Sequence, residues 1–350
     1  MKKTLLLVLA TALTAAPAMA LDVNGEAFIS WKNNSNTGVN NAPSVTGNEF
    51  TGTDVDRFRV FLSHKFDDTW AFKGRFSMAQ GTTGLSFTIP EAMFVGSGLF
   101  MAGDTFKMGV QEMPISTAEG QFGWRWITKT FGDIEGFTNT ATTTVGATTT
   151  PGGISYGMKF GSAGVTLFTA EAEVAEQTGS NDNTKTNGVY VDYKINDQAK
   201  VWAQSSTQLE TGVANNKSIT VMGLGASYSM DMVDAMFNYY TQTFTQVDGA
   251  AEVKANKAMG LAANWKKLGG SQYNLYTSYT AGYDAYADAG GGTAEKFSSK
   301  MKIGPNWALA DGKLNMGVFY DMETFNSDYK TATPNDKEGN ILTVQLAAKF

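Results

Sequence analysis

The sequence predicts an all-β protein, a transmembrane antiparallel β-barrel of about sixteen strands. Apolar and polar residues alternate with a period of two in segments of about ten residues, which is the length a tilted membrane-spanning strand needs. The 38 glycines, 22 Phe, 13 Tyr and 7 Trp favour strands and turns over helices. After residue 20, no stretch approaches the ~18 unbroken apolar residues of a membrane-spanning helix.

The first twenty residues have the order of a secretory signal peptide. Met1-Lys2-Lys3 is followed by an apolar stretch from Leu5 to Leu13 and by the small residues of Ala18-Met19-Ala20. The apolar stretch is too short and wrongly flanked to cross a membrane. We predict that residues 1–20 are removed after Ala20 and that residues 21–350 form one barrel domain.

Composition excludes several functional classes. Two of the 27 lysines and arginines lie in the signal, so 25 remain against 33 acidic residues and the mature chain carries a formal charge of −8. This charge argues against a nucleic-acid partner, which requires a basic face. The chain has no cysteine, which excludes a disulfide framework, thiolate catalysis and thiolate metal sites. A secreted soluble β-sandwich or β-helix remains the alternative fold.

The alternation separates apolar from charged residues along single strands. In residues 57–63, Phe58, Val60 and Leu62 occupy one face and Arg57 and Arg59 the other. Residues 70–78, 272–279 and 314–321 repeat this pattern. Successive strand residues point to opposite sides, so a two-sided wall is predicted, and closing the sheet removes the edges that lipid cannot satisfy.

The connections between these segments set the strand count. Seven short turns are predicted at 67–68, 102–104, 161–164, 196–198, 230–232, 268–270 and 310–312. Eight longer loops are predicted near 32–54, 80–85, 112–153, 176–187, 210–217, 244–256, 282–296 and 327–340. Fifteen connections join sixteen strands and place both chain ends on the same, periplasmic side. Pro90 blurs the fourth strand, so counts of fourteen and eighteen stay open.

The last eleven residues resemble the C-terminal strand of outer-membrane β-barrel proteins. Leu342, Val344, Leu346 and Ala348 alternate up to the terminal Phe350. The resemblance implies a location in the outer membrane of a Gram-negative bacterium. It also implies that Phe350 belongs to the signal read by the barrel-insertion machinery.

Residues 106–114, Phe-Lys-Met-Gly-Val-Gln-Glu-Met-Pro, are similar to the fifth strand of Gram-negative general porins, which leads into a third loop that folds into the pore. Here the loop at 112–153 is the longest, and a loop of this length is usually functional. The resemblance implies a water-filled channel for passive diffusion of ions and small polar solutes. It further implies a homotrimer surrounded by outer-membrane lipid, although the loop at 80–85 is short for the latch of many trimeric porins.

Three of the four arginines in the chain lie within nineteen residues on one predicted face. Arg57, Arg59 and Arg75, with Lys73, resemble the basic ladder that general porins place opposite the third loop. Candidate opposing acids in that loop are Glu119, Asp133 and Glu135. Charge in a narrow aqueous pore sorts ions. The alternative is ordinary solvated lumen charge.

We predict no enzyme, no catalytic residues, no cofactor and no metal site. His64 is the only histidine, and alternation places it on the apolar face near a turn, away from any pore. The sequence contains no phosphate-binding loop and no metal-ligand spacing. A substrate-specific outer-membrane channel is the second interpretation, and an outer-membrane adhesin or enzyme is the third.

Overall fold

A computed structural model describes residues 21–34, 37–38, 52–81, 84–111, 152–173, 183–211, 217–246, 253–287, 293–310, 313–325 and 337–350. These contain sixteen long strands and one strand of two residues. In chain order the strands are β1 (Asp22–Asn34), β2 (Thr37–Gly38), β3 (Gly52–Lys65), β4 (Trp70–Gly81), β5 (Gly84–Ser97), β6 (Thr105–Val110), β7 (Gly152–Phe160), β8 (Ala163–Glu173), β9 (Asn183–Lys194), β10 (Ala199–Thr211), β11 (Lys217–Ser229), β12 (Val233–Gln246), β13 (Val253–Trp265), β14 (Asn274–Ala287), β15 (Thr293–Leu309), β16 (Leu314–Phe325) and β17 (Lys337–Lys349).

The long strands form one closed antiparallel sheet. Each pairs with its neighbour in sequence, and β17 returns to pair with β1 from Glu26 opposite Lys349 to Asn34 opposite Ile341. The two-residue β2 adds a short pairing to β17. The prediction of a closed barrel with sixteen strands is therefore confirmed. In the part of the chain described here, no helix is both long and apolar enough to span a membrane.

Six of the predicted short turns lie among the described residues and join strands at one end of the barrel, at the predicted places. The seventh, predicted at 310–312, lies partly outside the described residues. Strands extend further into the predicted loops at the opposite end: β9 begins at Asn183 and β14 ends at Ala287. The loops predicted at 176–187 and 282–296 are thus shorter than expected. These strand ends were not predicted because their residues are mostly polar and do not show the apolar alternation. A strand can continue there because hydrogen bonding in the ladder does not require apolar side chains.

The turn between β5 and β6 is organised by the buried side chain of Asp104. Its carboxylate accepts hydrogen bonds from the backbone N–H groups of Leu99, Phe100 and Met101 at 2.8, 2.9 and 3.0 Å, and from the hydroxyl of Tyr156 at 2.7 Å. Burial alone would raise the pKa of Asp104. The four hydrogen bonds outweigh burial and lower this pKa from 3.8 to about 2, because they stabilise the ionised form.

A bulge explains why the fourth long strand is hard to recognise. Arg75 pairs with Glu91 and Ser77 pairs with Thr88, so two residues of β5, including Pro90, oppose one residue of β4. Proline has no N–H to donate to the ladder, and a bulge is one of the few places where a sheet accepts it.

The last residue of the chain takes part in closing the barrel. The N–H of Phe350 donates to the carbonyl of Gly25 at 3.0 Å, and the N–H of Gly25 donates back at 2.7 Å. The Phe350 ring lies over Gly25, where a Cβ atom would overlap it, and stacks on Phe58 at 5.6 Å between ring centroids. A side chain at position 25 would displace this ring.

Candidate functional site

The wall of the barrel has two chemically different faces. Exposed apolar side chains such as Ile29, Leu224 and Met301 cover the outside. Residues of the opposite parity, such as Gln204 and Asn264, face inward and are mostly polar and buried. The inner face is therefore where charged and polar groups can meet a solute.

Arg59 is held on the inner face by an acid of the first strand. It lies opposite Glu26 in the β1–β3 register, and the two side chains form an ion pair with 3.4 Å between Nη1 and Oε1. Glu26 is 2% exposed. A buried carboxylate needs such compensation, since an unpaired charge would carry a large desolvation cost.

Arg75 has a second acid of the wall as its partner. Arg75 pairs with Phe61 on β3 and with Glu91 on β5, and its Nη1 lies 3.3 Å from Glu91 Oε1. Lys73 lies two residues closer to the turn, opposite Ser63, and is exposed. The four candidate basic residues thus belong to two adjacent strands, and two of them are neutralised locally.

Other predicted site residues fall outside the described residues in whole or in part. Arg57 lies in β3 opposite Phe28, but its side chain is outside the described atoms. The loop acids Glu119, Asp133 and Glu135 also lie outside the described residues, and their position remains a prediction. β7 already begins at Gly152, so the end of the predicted loop 112–153 belongs to a strand.

The structure adds charged residues that sequence reasoning did not assign to the site. Glu26 and Glu91 are two of them. On β15 and β16, the buried pair of Lys302 and Asp321 has 3.3 Å between Nζ and Oδ1, and the Lys302 ammonium lies 5.5 Å from the ring centre of Phe319. Strand parity alone would have placed each on the inner face, but only the register shows which charges meet.

An apolar cluster also lies on the inner face of β9–β16. Its members are buried and are Tyr190, Trp202, Met236, Ala262, Tyr276 and Phe319. Glycines make room for the largest rings: a Cβ atom at Gly225 on the adjacent strand would overlap Trp202, and one at Gly317 on the same strand would overlap Phe319. Alternation along the sequence did not predict these inward aromatic residues.

The single histidine has the parity of the outward residues of β3, opposite to that of Arg59. His64 lies opposite Phe72 in the β3–β4 ladder, and its ring makes an edge contact with Phe66 at 4.9 Å between centroids. Within the described ranges, no group of three or more His, Cys, Asp or Glu side chains could hold a metal ion.

No protein-family model and no curated protein sequence matches the chain. Solved structures do match over nearly its whole length. OmpF of Salmonella typhi in complex with daunomycin superposes with a TM-score of 0.66 at 12% identity, covering 95% of this chain and 98% of that one.

An anion-selective porin from Comamonas acidovorans gives a TM-score of 0.64 at 13% identity, with 95% and 99% of the two chains covered. The trimer form of OmpT, an outer-membrane protein of Vibrio cholerae, gives 0.60 at 13% identity, with 95% and 100% covered. At these identities the likeness establishes a shared fold.

Proposed function

We propose that this chain, which has the sixteen-strand barrel fold of bacterial outer-membrane porins, is itself a porin of the Gram-negative outer membrane. In this proposal, ions and small polar solutes diffuse passively through its water-filled lumen. The observation that carries the proposal is the contrast between the faces of the barrel wall: apolar side chains are exposed outside, and paired charges line the inside.

The membrane favours this orientation of the two faces. A lysine or arginine facing lipid at the bilayer midplane costs about 2–4 kcal/mol, whereas the same residue facing an aqueous lumen does not carry that cost. Exposed Ile29, Leu224 and Met301 are unfavourable in water but suited to acyl chains. Together, these two preferences support a barrel with lipid outside and water inside.

The proposal includes the route by which the protein reaches its membrane. Residues 1–20 direct export, and the insertion machinery reads the terminal strand with Phe350. We propose a homotrimer as the mature assembly. A trimer form is known for the structurally similar OmpT of Vibrio cholerae.

We further propose that Arg57, Arg59, Lys73 and Arg75 form one side of the constriction and that Glu119, Asp133 or Glu135 of the third loop face them. The inward positions of Arg59 and Arg75 support this role. Even with Glu26 and Glu91 counted, the four bases leave this wall with a net positive charge. It would therefore attract anions and repel cations close to its surface.

The proposed function involves no reaction, no catalytic residue and no cofactor. A substrate-specific channel would need inward aromatic rings on which a solute could slide. The inward rings of β9–β16 do not offer that surface, since Trp202, Tyr276 and Phe319 are between 0% and 4% exposed. Their burial favours a role in wall packing.

Ion conduction in planar lipid bilayers tests the proposed function. Purified protein should insert as channels with stable, voltage-tolerant steps, and conductance should rise with KCl concentration without saturating. Neutral polar solutes should enter proteoliposomes in order of size. A folded, inserted protein that conducts no ions would contradict the proposal.

A further inference from the structure

A small recess lies in the inner wall near the turn end of strands β6 to β9. Its volume is 240 Å³, and side chains that reach it include Thr105, Lys107, Lys159, Thr166 and Asp192. We call it the lysine recess. Gly157 and Gly164 form part of its lining. With no side chain at these two positions, space remains between the two lysines.

We propose that the lysine recess binds a small oxyanion, with inorganic phosphate preferred over a carboxylate, as the anion passes through the lumen. This inference rests on the proposed channel function and names a solute class for it.

The described residues around the recess do not bring all of its charges into ion pairs. Among the described residues, neither Lys107 nor Lys159 has a carboxylate within ion-pair distance. Asp192 is already bound to Lys200, with 3.2 Å between Oδ2 and Nζ. Glu91, on the strand next to Lys107, is bound to Arg75. Within the described part of the chain, these two ammonium groups are therefore the ones that an anion from solution could neutralise.

The position of Lys107 makes this compensation favourable. Lys107 is half-buried and lies between Val95 of β5 and Ser155 of β7 in the ladder. A charge with reduced solvation gains more from a bound counter-ion than a fully exposed one does. Lys159 approaches from the turn end, where its Cδ atom would lie 3.8 Å from a Cβ atom placed at Gly103.

Neutral donors complete the recess. The hydroxyls of Thr105 and Thr166 line it and can each donate a hydrogen bond. Gln111 and Ser155 are committed to the wall: Gln111 donates to the carbonyl of Gly153 at 3.0 Å, and Ser155 donates to Gln111 at 2.9 Å. These two bonds fix the upper rim of the recess without using the lysines.

The chemistry favours phosphate over a carboxylate. An oxyanion with several acceptor oxygens can meet two ammonium groups and two hydroxyls at once, and charge-assisted hydrogen bonds of this kind are the stronger ones. Phosphate near neutral pH also carries at least one O–H group that can donate to Asp192. A carboxylate has no proton to give and would be repelled by Asp192.

The test is a conductance titration of reconstituted channels in KCl. Added inorganic phosphate should lower the chloride current in a saturable way, and acetate at equal concentration should do so more weakly. Replacing both lysines, Lys107→Gln with Lys159→Gln, should raise the phosphate concentration for half-effect about tenfold, the scale of losing charge-assisted contacts. Each single variant should have a smaller effect in the same direction.

Lys300→Gln is the matched control, because Lys300 lies on the inner face of β15, opposite Thr280, and does not line the recess. It removes the same charge and should leave the phosphate effect within about twofold of the unchanged protein. If Lys300→Gln weakens the phosphate effect as much as Lys107→Gln, the lumen charge as a whole is responsible and the recess proposal is wrong.

Two other outcomes are decisive. Normal KCl conduction without any phosphate or acetate effect would overturn the lysine recess and leave the proposed channel intact. A stronger effect of acetate than of phosphate would support an oxyanion site and overturn the preference assigned to Asp192. Complete absence of conduction would contradict both proposals, and the heat-dependent gel mobility of each variant shows whether its barrel has formed.

Discussion

Replacing Arg57, Arg59 and Arg75 with Gln should shift ion selectivity of the channel toward cations. With Lys73, Glu26 and Glu91 included, the basic wall changes from a formal charge of +2 to −1. At a distance of about 10 Å in water, the interaction energy between one unit charge of the wall and a passing monovalent ion is about 0.4 kcal/mol. Screening at 0.1 M salt lowers this to about 0.15 kcal/mol, so three charges contribute about 0.45 kcal/mol.

The substitutions make the interaction energy less favourable for an anion and more favourable for a cation by the same amount. The selectivity for cations over anions therefore changes by about 0.9 kcal/mol, or about fivefold, at 0.1 M salt. At 1 M salt the Debye length is about 3 Å, and the expected change in selectivity falls to about 1.2-fold. Reversal potentials in KCl gradients at low and high salt measure both values. The steep loss of the effect with salt is part of the prediction.

The ion pairs of the wall provide a quantitative control. Adding Glu26→Gln and Glu91→Gln to the triple variant removes two negative charges as well, so the net change is −1 and the selectivity shift should fall to about 1.7-fold at 0.1 M salt. Unchanged selectivity of the triple variant at low salt would show that these residues lie away from the constriction. Equal shifts in the two variants would show that charge count is not the cause.

Four further outcomes are expected. Gly25→Val should displace the Phe350 ring, remove a ring contact of about 0.5–1.5 kcal/mol, and lower the temperature at which the folded gel band converts to the unfolded one. The ionised Asp104 should stabilise the folded protein above pH 4, and this contribution should be lost as the pH falls through its lowered pKa of about 2. Asp104→Asn should therefore reduce the difference in stability between pH 5 and pH 2.5, measured by denaturation at both values. N-terminal sequencing of protein from outer membranes should begin at Leu21, and a start at Met1 would contradict export. Unheated protein should migrate as a trimer and boiled protein as a monomer, whereas cross-linking that yields only monomers would remove the trimer.

The fold could be predicted because its main determinant is local. Alternation with a period of two and turn residues recur often enough to count strands, even though each segment is a weak signal. Position within a strand then fixes the face: Phe58 and Val60 alternate with Arg59, and the structure pairs Arg59 with an inward acid. The bulge at Pro90 interrupted the alternation, and the strand was hard to recognise there for that reason.

The ion pairs could not be predicted in the same way. Glu26 meets Arg59 only because of the register of β1 against β3, and the two strands are separated by a loop whose length does not fix that register. Glu91 meets Arg75 because the bulge shifts β5 by one residue. A one-residue difference in register would send each acid to the opposite face, so local patterns identify the inward residues but not their partners.

The inward aromatic cluster shows a further limit of alternation. Along β10, Trp202 and Gln204 share the inner face, while Val201 and Ala203 share the outer one, so neither face reads as clearly polar. The information lies on the next strand, where Gly225 stands opposite Trp202 and leaves room for the indole to lie against the wall. An aromatic residue facing glycine across a ladder compensates for the missing side chain. Because this pairing is non-local, the packed half of the inner wall becomes visible only after the register is known. The same register places the arginines on β3 and β4 and the lysine recess along β6 to β9, whereas Trp202, Tyr276 and Phe319 lie on β10, β14 and β16.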